Sequence, residues 1–106
     1  YTARVSLEQL ESFVAIAEEG TIGRAARRLH ISQPPLSRRL KSLEDELGTP
    51  LFERNARGVQ LLPRGRQLLT HARRILRAVD AAVAELQQPD EGAADRPGSS
   101  ASGLAS

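Results

Sequence analysis

Residues 31–48, ISQPPLSRRLKSLEDELG, constrain the fold most, because this stretch requires a short helix with two opposite faces. Four leucines recur at intervals of 4, 3 and 4 residues, which places them on one stripe at about 100° per residue: Leu36, Leu40, Leu43 and Leu47. That stripe must be buried. The opposite side of the first two turns carries residues suited to a partner and poorly suited to a core: Pro34, Ser37, Arg38 and Lys41.

A first helix is predicted over residues 7–19. Ser6 and Gln9 fit a capping box, in which each side chain bonds the backbone N–H of the other residue. Apolar residues then recur at helical spacing until Gly20, which is placed to end the helix as a left-handed cap.

Thr21 is placed to cap a second helix over residues 22–29, and a three-residue turn follows. Ser32 is placed to cap the third helix. Pro34 and Pro35 fit its first turn, where missing N–H groups have no intrahelical partner. The positive dipole and the free amides at this start favour a phosphate. Two helices joined by so short a turn, the second cationic at its start, predict a helix-turn-helix.

The charge distribution favours a polyanionic partner. Residues 1–88 hold 14 Lys and Arg against 10 Asp and Glu, whereas residues 89–106 hold 1 against 3. Six basic residues and no acid lie within residues 21–43: Arg24, Arg27, Arg28, Arg38, Arg39 and Lys41. The three arginines of the second helix lie off its apolar stripe, so we expect them in solvent or at phosphates. A charge run alone is more often a solvated helix face, but this run surrounds one helix start.

Other classes of function lack the residues they need. The chain has no Cys, and His30 and His71 stand alone, so no catalytic site, metal site or cofactor is predicted, and His30 is interpreted as a turn residue. No run approaches the about 18 apolar residues of a membrane helix, and no signal peptide is recognisable, so we expect a soluble, intracellular protein with no membrane partner. The chain begins without Met, so we expect a piece of a longer protein.

A hairpin is predicted after the third helix, which Gly48 ends. Residues 50–54 and 59–62 are strand-like, and residues 55–58, Asn-Ala-Arg-Gly, have the composition of a turn. This hairpin forms the wing of a winged helix, with Arg57 at its tip. A tip arginine is usually solvated, but beside a recognition helix it can enter an adjacent minor groove.

Pro63 begins the longest predicted helix, which runs to about Gln88 and is roughly 39 Å long. Its apolar residues repeat at intervals of 3 and 4, in a main row and a second row that includes Val83: Leu68, Ala72, Ile75, Val79, Ala82, Val83 and Leu86. The first half can pack on the domain, but the second half projects and needs a partner helix, most simply its own copy. Residues 89–106, rich in Pro, Gly, Ser and Ala, are predicted to be a disordered tail or linker.

Over residues 7–88 the chain resembles the N-terminal DNA-binding domain of a LysR-type transcriptional regulator. The residues that carry the resemblance are LEQLESFVAIAEEGTIGRAARRLHISQPPLSRRLKSLEDELGTPLFER, then GVQLLPRG and the long helix. It implies a mostly α winged helix-turn-helix, with a three-helix core, a short β-hairpin wing and a long C-terminal linker and dimerisation helix. It also implies a homodimer, paired through residues 63–88, that binds double-stranded promoter DNA at an inverted repeat in the bacterial cytoplasm, at the nucleoid.

The resemblance also assigns roles by position. Four residues at the start of the third helix match base-contacting positions, and Arg57 matches a wing residue in the minor groove. The four are Gln33, Pro34, Ser37 and Arg38. Phosphate contacts are implied at Thr21, Ser32, Arg39, Lys41 and Arg54. Where the family usually has a Thr that caps the long helix, this chain has Leu62, so that cap must come from water or elsewhere.

The predicted organisation is a DNA-binding domain over residues 1–62, a dimerising linker helix over 63–88 and a tail or linker over 89–106. The family's effector-binding domain is not in the sequence, so no small-molecule effector site is expected in this chain. One alternative is a winged helix-turn-helix of another family. A second is a protein-interaction module whose long helix heterodimerises with full-length regulators while its own DNA affinity is too weak to matter.

Overall fold

The structure is a computed structural model that describes residues 4–89. Six elements follow in chain order: α1 (Leu7–Glu19), α2 (Ile22–Leu29), α3 (Gln33–Leu47), β1 (Phe52–Asn55), β2 (Gly58–Leu61) and α4 (Pro63–Gln87). The predicted three-helix core, hairpin and long last helix are confirmed, and the bounds of α1 and α2 agree with the prediction. The predicted tail lies, from residue 90 onwards, outside the described residues.

α1 is the central element of the core, and it contacts α2, α3, α4 and β2. Both bonds of the predicted capping box are present: Ser6 Oγ accepts the Gln9 N–H at 3.1 Å, and Gln9 Oε1 accepts the Ser6 N–H at 2.8 Å. Gly20 ends the helix with a left-handed φ of 82°. Phe13 and Ile16 are fully buried, so the start, the end and the buried face of α1 all follow from local sequence.

The turn between α2 and α3 is closed by backbone bonds. Thr21 Oγ1 accepts the Arg24 N–H at 3.1 Å and caps α2 as predicted. His30 adopts a left-handed φ of 60°, and its N–H donates to the Arg27 carbonyl at 3.2 Å. The interpretation of His30 as a turn residue is therefore confirmed.

The capping bond predicted for Ser32 is wrong. Ser32 occupies the N-cap position of α3, but its side chain makes no capping hydrogen bond. An N-cap side chain accepts from the N–H of the second or third helical residue. Those residues are Pro34 and Pro35, and neither has an N–H.

The leucine stripe of α3 is buried as predicted. Leu36, Leu40 and Leu43 are at most 1% exposed, and Leu47 is half-buried where the helix ends. Gly48 then adopts a left-handed φ of 72° and stops the helix. Because the stripe fixes the rotation of α3, the opposite side must face solvent.

The hairpin is antiparallel, and its register runs from Phe52 opposite Leu61 to Asn55 opposite Gly58. Asn55 Oδ1 accepts the Arg57 N–H at 2.9 Å, which closes the turn at the tip. The ring of Phe52 lies 5.3 Å from that of Phe13 in α1. The base of the wing is thus anchored in the core while its tip projects.

Gly58 lets the wing approach the turn between α1 and α2. Its φ is +136°, and a Cβ at this position would collide with the Gly20 carbonyl oxygen. The next residue, Val59, donates its N–H to that same oxygen at 3.0 Å. Only glycine accommodates both the positive φ and the close backbone contact.

α4 has 25 residues and is about 37 Å long. As expected from Leu62, its first residue has no side-chain cap. Ala72 is fully buried, and Leu69 and Leu76 pack against the core. Every residue from 80 to 88 is exposed, and Leu86 is 85% exposed. The prediction that the first half packs and the second half projects is confirmed.

Candidate nucleic-acid interface

The four side chains predicted to contact bases lie together at the start of α3. Gln33, Pro34 and Arg38 are exposed and Ser37 is half-buried. Pro34, Ser37 and Arg38 occupy the first two turns on the side away from the leucine stripe, and Gln33 is the first residue of the helix. The burial of the stripe therefore aims this edge at solvent, where a groove-binding helix needs its contact residues.

Arg38 is available for a partner. No hydrogen bond or ion pair engages its guanidinium within residues 4–89. It lines an open recess together with Lys41, Ser42 and Asp45. An unpaired guanidinium offers two parallel N–H donors that match the acceptors on the major-groove edge of guanine.

Gly23 in α2 leaves space for the Gln33 side chain. Gln33 Nε2 lies 3.2 Å from the point that a Cβ on Gly23 would occupy. The sequence does not reveal this pair, because the two residues lie on different helices and share no periodic pattern. Gly23 thus lies beside the candidate interface, although no sequence pattern predicts this position for it.

The two prolines lower the number of free backbone N–H groups at the start of α3, where an anion site is expected. A helix normally leaves its first four N–H groups without intrahelical partners. Pro34 and Pro35 contribute none, so the amides of Ser32 and Gln33 remain. The Ser32 hydroxyl, which makes no capping bond, adds a third polar group. A phosphate at this point would meet two amides and one hydroxyl.

Lys41 forms an ion pair with Asp45 on α3. Its Nζ lies 3.0 Å from Asp45 Oδ1, one turn further along α3, and both side chains are more than 60% exposed. Exposed pairs at this spacing stabilise a helix by only about 0.3–0.5 kcal/mol. Lys41 can therefore leave Asp45 for a phosphate at little cost.

Arg39 has two side-chain partners on α1, whereas Lys41 has one on its own helix. Its Nη2 lies 3.4 Å from Glu8 Oε2, and its Nη1 donates to Ser12 Oγ at 3.4 Å. Ser12 is almost fully buried in α1. Arg39 thus bridges α3 to α1, and a phosphate would have to compete with both contacts.

The remaining predicted contact residues lie on α2 and the wing. Thr21 uses its oxygen to cap α2 and still has a hydroxyl hydrogen to donate. Arg54 on β1 and Arg57 at the tip are both exposed. The wing thus carries two cations beside the α1–α2 turn on which Gly58 docks.

The α2 arginines were expected in solvent or at phosphates, and for Arg28 this expectation is wrong. Its Nη1 lies 2.9 Å from Glu18 Oε1 and 3.3 Å from Glu19 Oε2. The hydrogen bond from Arg28 is the main cause that lowers the pKa of Glu18; Arg73 acts in the same direction, and partial burial opposes both. The bond to Glu18 likewise raises the pKa of Arg28. Arg28 is therefore a structural ion-pair partner.

Glu44 on α3 supports the wing. Its Oε2 accepts the Leu51 N–H at 2.8 Å, just before β1. Leu51 is buried, and its carbonyl accepts the Leu62 N–H at 2.9 Å. A signal existed, because Glu44 is the residue next to Leu43 and so lies on the flank of the buried stripe.

Residues 4–89 contain no group of three or more His, Cys, Asp or Glu side chains arranged to hold a metal ion. The same part of the chain has no helix that is both long enough and apolar enough to cross a membrane.

The three-helix core, the wing and the exposed cationic start of α3 define a winged helix-turn-helix. The family model described as "Bacterial regulatory helix-turn-helix protein, lysR family" matches residues 7–66. The chain belongs to this family.

Its relatives are named as transcriptional regulators. It is 60% identical over 72 residues to the HTH-type transcriptional regulator TfdS of Cupriavidus pinatubonensis, covering 68% of this chain and 24% of that protein. It is 53% identical over 76 residues to ClcR of Pseudomonas putida, covering 72% of this chain and 26% of that protein. The chain spans about a quarter of the length of these relatives.

Solved structures agree in fold. The CbnR_DBD–DNA complex is 42% identical with a TM-score of 0.69, covering 78% of this chain and all of that one. The complex of BenM_DBD with catB site 1 DNA is 41% identical with a TM-score of 0.76, covering 78% of this chain and 93% of that one. The alternative of a module that only binds other regulators finds no support in these comparisons.

Proposed function

We propose that this chain reads double-stranded DNA by sequence, as a homodimer on an inverted repeat in a bacterial promoter. The start of α3 enters the major groove, and the tip of the wing enters the adjacent minor groove. Residues 1–62 make the DNA contacts and residues 63–88 pair the two copies. This role is binding rather than catalysis, and its place is the bacterial cytoplasm, at the nucleoid.

The observation that carries the proposal is the exposed edge of α3. Gln33, Pro34, Ser37 and Arg38 face solvent because the leucine stripe is buried behind them. Gln33 offers an amide that pairs with adenine, and Arg38 offers a fork that pairs with guanine. The DNA complexes of CbnR_DBD and BenM_DBD, which share the fold at 41–42% identity, support the same use of the domain.

Phosphate contacts fix the register without reading sequence. Thr21, Ser32, Lys41 and Arg54 are the proposed contacts, since each presents a donor on the exposed side of the domain. Arg39 contributes least among the predicted set, because it must first leave Glu8 and Ser12.

Arg57 is proposed to enter the minor groove. It lies at the exposed tip of a wing whose base is anchored by Phe52. A narrow, A·T-rich minor groove has an enhanced negative potential that attracts arginine. The wing therefore adds a preference for groove shape to the base readout of α3.

The exposed half of α4 is proposed to pair with a second copy. Its main apolar row alternates at intervals of 4 and 3, so an antiparallel partner can set Leu68 against Leu86 and Ile75 against Val79. Ala72, which the sequence pattern also placed in this row, is fully buried against the core of its own domain and is not available to a partner. An antiparallel pair also places the two DNA-binding domains at opposite ends of the paired α4 helices.

Charges beside this row favour the same direction. Arg64, His71 and Glu85 flank the row on one side. In an antiparallel pair, Glu85 of one copy lies on the same side of the seam as Arg64 and His71 of the other, whereas in a parallel pair it lies on the opposite side. The two α3 helices would then meet half-sites one helical turn, about 34 Å, apart.

The test is a titration by fluorescence anisotropy against a duplex enriched from a random pool by the protein, with a shuffled duplex of the same composition as control. If Lys41 and Arg54, with or without Arg57, contact phosphates in each copy, a dimer makes about four to six cationic contacts. Affinity then falls by about 10²- to 10³-fold between 50 and 200 mM salt.

The enriched duplex should bind at least ~10³-fold more tightly than the shuffled one at physiological salt. Equal affinity for both, or affinity that does not change with salt, contradicts the proposed function. Sedimentation of the free chain tests the dimer separately.

A further inference from the structure

The geometry points to a positioning role for Glu18: together with Arg28 and Arg73, it fixes the angle between α4 and the reading domain, and so sets the half-site spacing that the dimer accepts. We call Glu18, Arg28 and Arg73 the α4 clamp. The inference rests on the proposed function, because spacing has meaning only for a dimer on an inverted repeat.

The α4 clamp joins three helices at one carboxylate. Glu18 Oε1 lies 2.9 Å from Arg28 Nη1 on α2. Glu18 Oε2 accepts two bonds from Arg73 on α4, from Nη2 at 3.0 Å and from Nε at 3.2 Å. One side chain near the end of α1 thus holds α2 and α4 at the same time.

The charges at the end of α1 show why this arrangement is stable. Glu18 and Glu19 lie in the last turn, where acids oppose the helix dipole, and α1 has no basic residue in that turn. The compensating cations come from other helices: Arg28 contacts both carboxylates, and Arg24 lies 4.0 Å from Glu19. Arg73 supplies the charge from α4. Neutralising this end of α1 therefore depends in part on α4 keeping its position.

The other contacts of α4 with the domain lie at its start and along its apolar face. Gly65 is buried close to the Leu51 carbonyl, and Arg66 Nη1 donates to the Leu61 carbonyl at 3.2 Å. Further along, Leu68, Leu69 and Leu76 pack against the core and Ala72 is fully buried. Apolar packing has little directional preference, whereas charge-assisted hydrogen bonds require a narrow geometry. Arg73 lies next to Ala72, so the α4 clamp restrains the helix at the point about which it would tilt.

A small tilt has a large effect at the far end of α4. Leu86 lies 13 residues beyond Arg73, a distance of about 20 Å along the helix. A tilt of about 10° at Arg73 displaces Leu86 by about 3.4 Å, the length of one base-pair step. Loosening the α4 clamp should therefore let the dimer accept half-sites that are one base pair closer or further apart.

The experiment compares the wild type with Glu18→Gln and Arg73→Gln, and with Arg74→Gln as the matched control. Arg74 is the next residue of α4; it is exposed and has no ion pair within residues 4–89, so its substitution removes the same charge without touching the clamp. Affinity is measured for the selected repeat, for repeats with one or two base pairs added or removed between half-sites, and for a single half-site.

We expect the wild type and Arg74→Gln to prefer the selected spacing by at least about tenfold. Glu18→Gln and Arg73→Gln should prefer it by less than about threefold and bind the single half-site within twofold of the wild type. A spacing profile for Arg73→Gln that matches that of Arg74→Gln overturns the inference. So does a loss of half-site affinity equal to the loss on the full repeat, because that result indicates a structural role.

A measurement without DNA separates this inference from the proposed function. The chain has no Cys, so spin labels on Glu53→Cys in β1 and Ala84→Cys in α4 report one distance, with unlabelled protein in excess to suppress signals between copies. Arg73→Gln should broaden the distance distribution and Arg74→Gln should not. Equal widths refute the α4 clamp, whereas a wild type that binds no duplex refutes the proposed function.

Discussion

Replacing Arg38 by alanine should remove base readout at one position of each half-site without changing the fold. The Arg38 side chain is exposed and has no ion pair or hydrogen bond within residues 4–89, so no internal contact is lost. Alanine is also the strongest helix former. The expected cost is that of one bidentate contact, about 1–3 kcal/mol, or roughly 5- to 160-fold in affinity for each half-site.

Lys41→Ala provides the contrast within the same helix. Lys41 can exchange its exposed ion pair with Asp45 for a phosphate, so its loss should weaken all sequences alike. Each phosphate contact removed should lower the slope of log affinity against log salt by about 0.9. Arg77→Ala is the control for charge, because Arg77 is exposed on α4 and has no ion pair in the described chain.

The assay is anisotropy over a salt series, on the selected duplex and on duplexes changed at each base pair of one half-site. Arg38→Ala should lose discrimination at one position, while Lys41→Ala keeps discrimination everywhere and shows a shallower salt dependence. If both variants lose the same affinity on every duplex, the assignment of Arg38 to base readout is wrong.

Three further predictions concern the scaffold. Gly58→Ala should destabilise the domain by about 2–4 kcal/mol through its positive φ and the collision with a backbone carbonyl, and an unchanged urea midpoint would contradict this. Leu86→Glu should shift sedimentation from dimer to monomer, whereas Ala84→Glu, on the outer side of α4, should not; a persistent Leu86→Glu dimer argues against pairing through this row. The lowered pKa of Glu18 means that its stabilisation is present above its ordinary value of 4.5 and is lost as pH falls through the folded value. The wild type should thus exceed Glu18→Gln by at most about 1 kcal/mol at neutral pH and by progressively less below pH 4.5, and a pH-independent difference would refute the assigned ion pair.

Local signals in the sequence were sufficient for the helices and the wing. Ser6 with Gln9 marks the start of α1, and Gly20 and Gly48 mark helix ends. The spacing of the α3 leucines is enough to identify the buried face, and hence the exposed edge with Ser37 and Arg38. These features depend on residues within one or two helical turns, which is the range over which sequence patterns act.

Contacts between residues far apart in the chain could not be predicted from those local signals. Arg73 meets Glu18 across 55 positions, and no periodicity relates the two. Arg28 was expected in solvent or at phosphates but pairs with Glu18. A charge pattern along one helix does not show which acid of another helix lies opposite. The missing cap bond of Ser32 could have been deduced, since Pro34 and Pro35 visibly lack the N–H groups that such a bond requires.

The most direct test of the central claim is selection of bound sites from a pool of random duplex DNA, followed by sequencing. The account predicts an inverted repeat whose half-sites are centred about one helical turn, 10–10.5 base pairs, apart, with A·T-rich sequence next to each half-site where Arg57 enters the minor groove. Enrichment of a single half-site without symmetry would contradict the dimer. Recovery of no preferred sequence would contradict base readout by the start of α3.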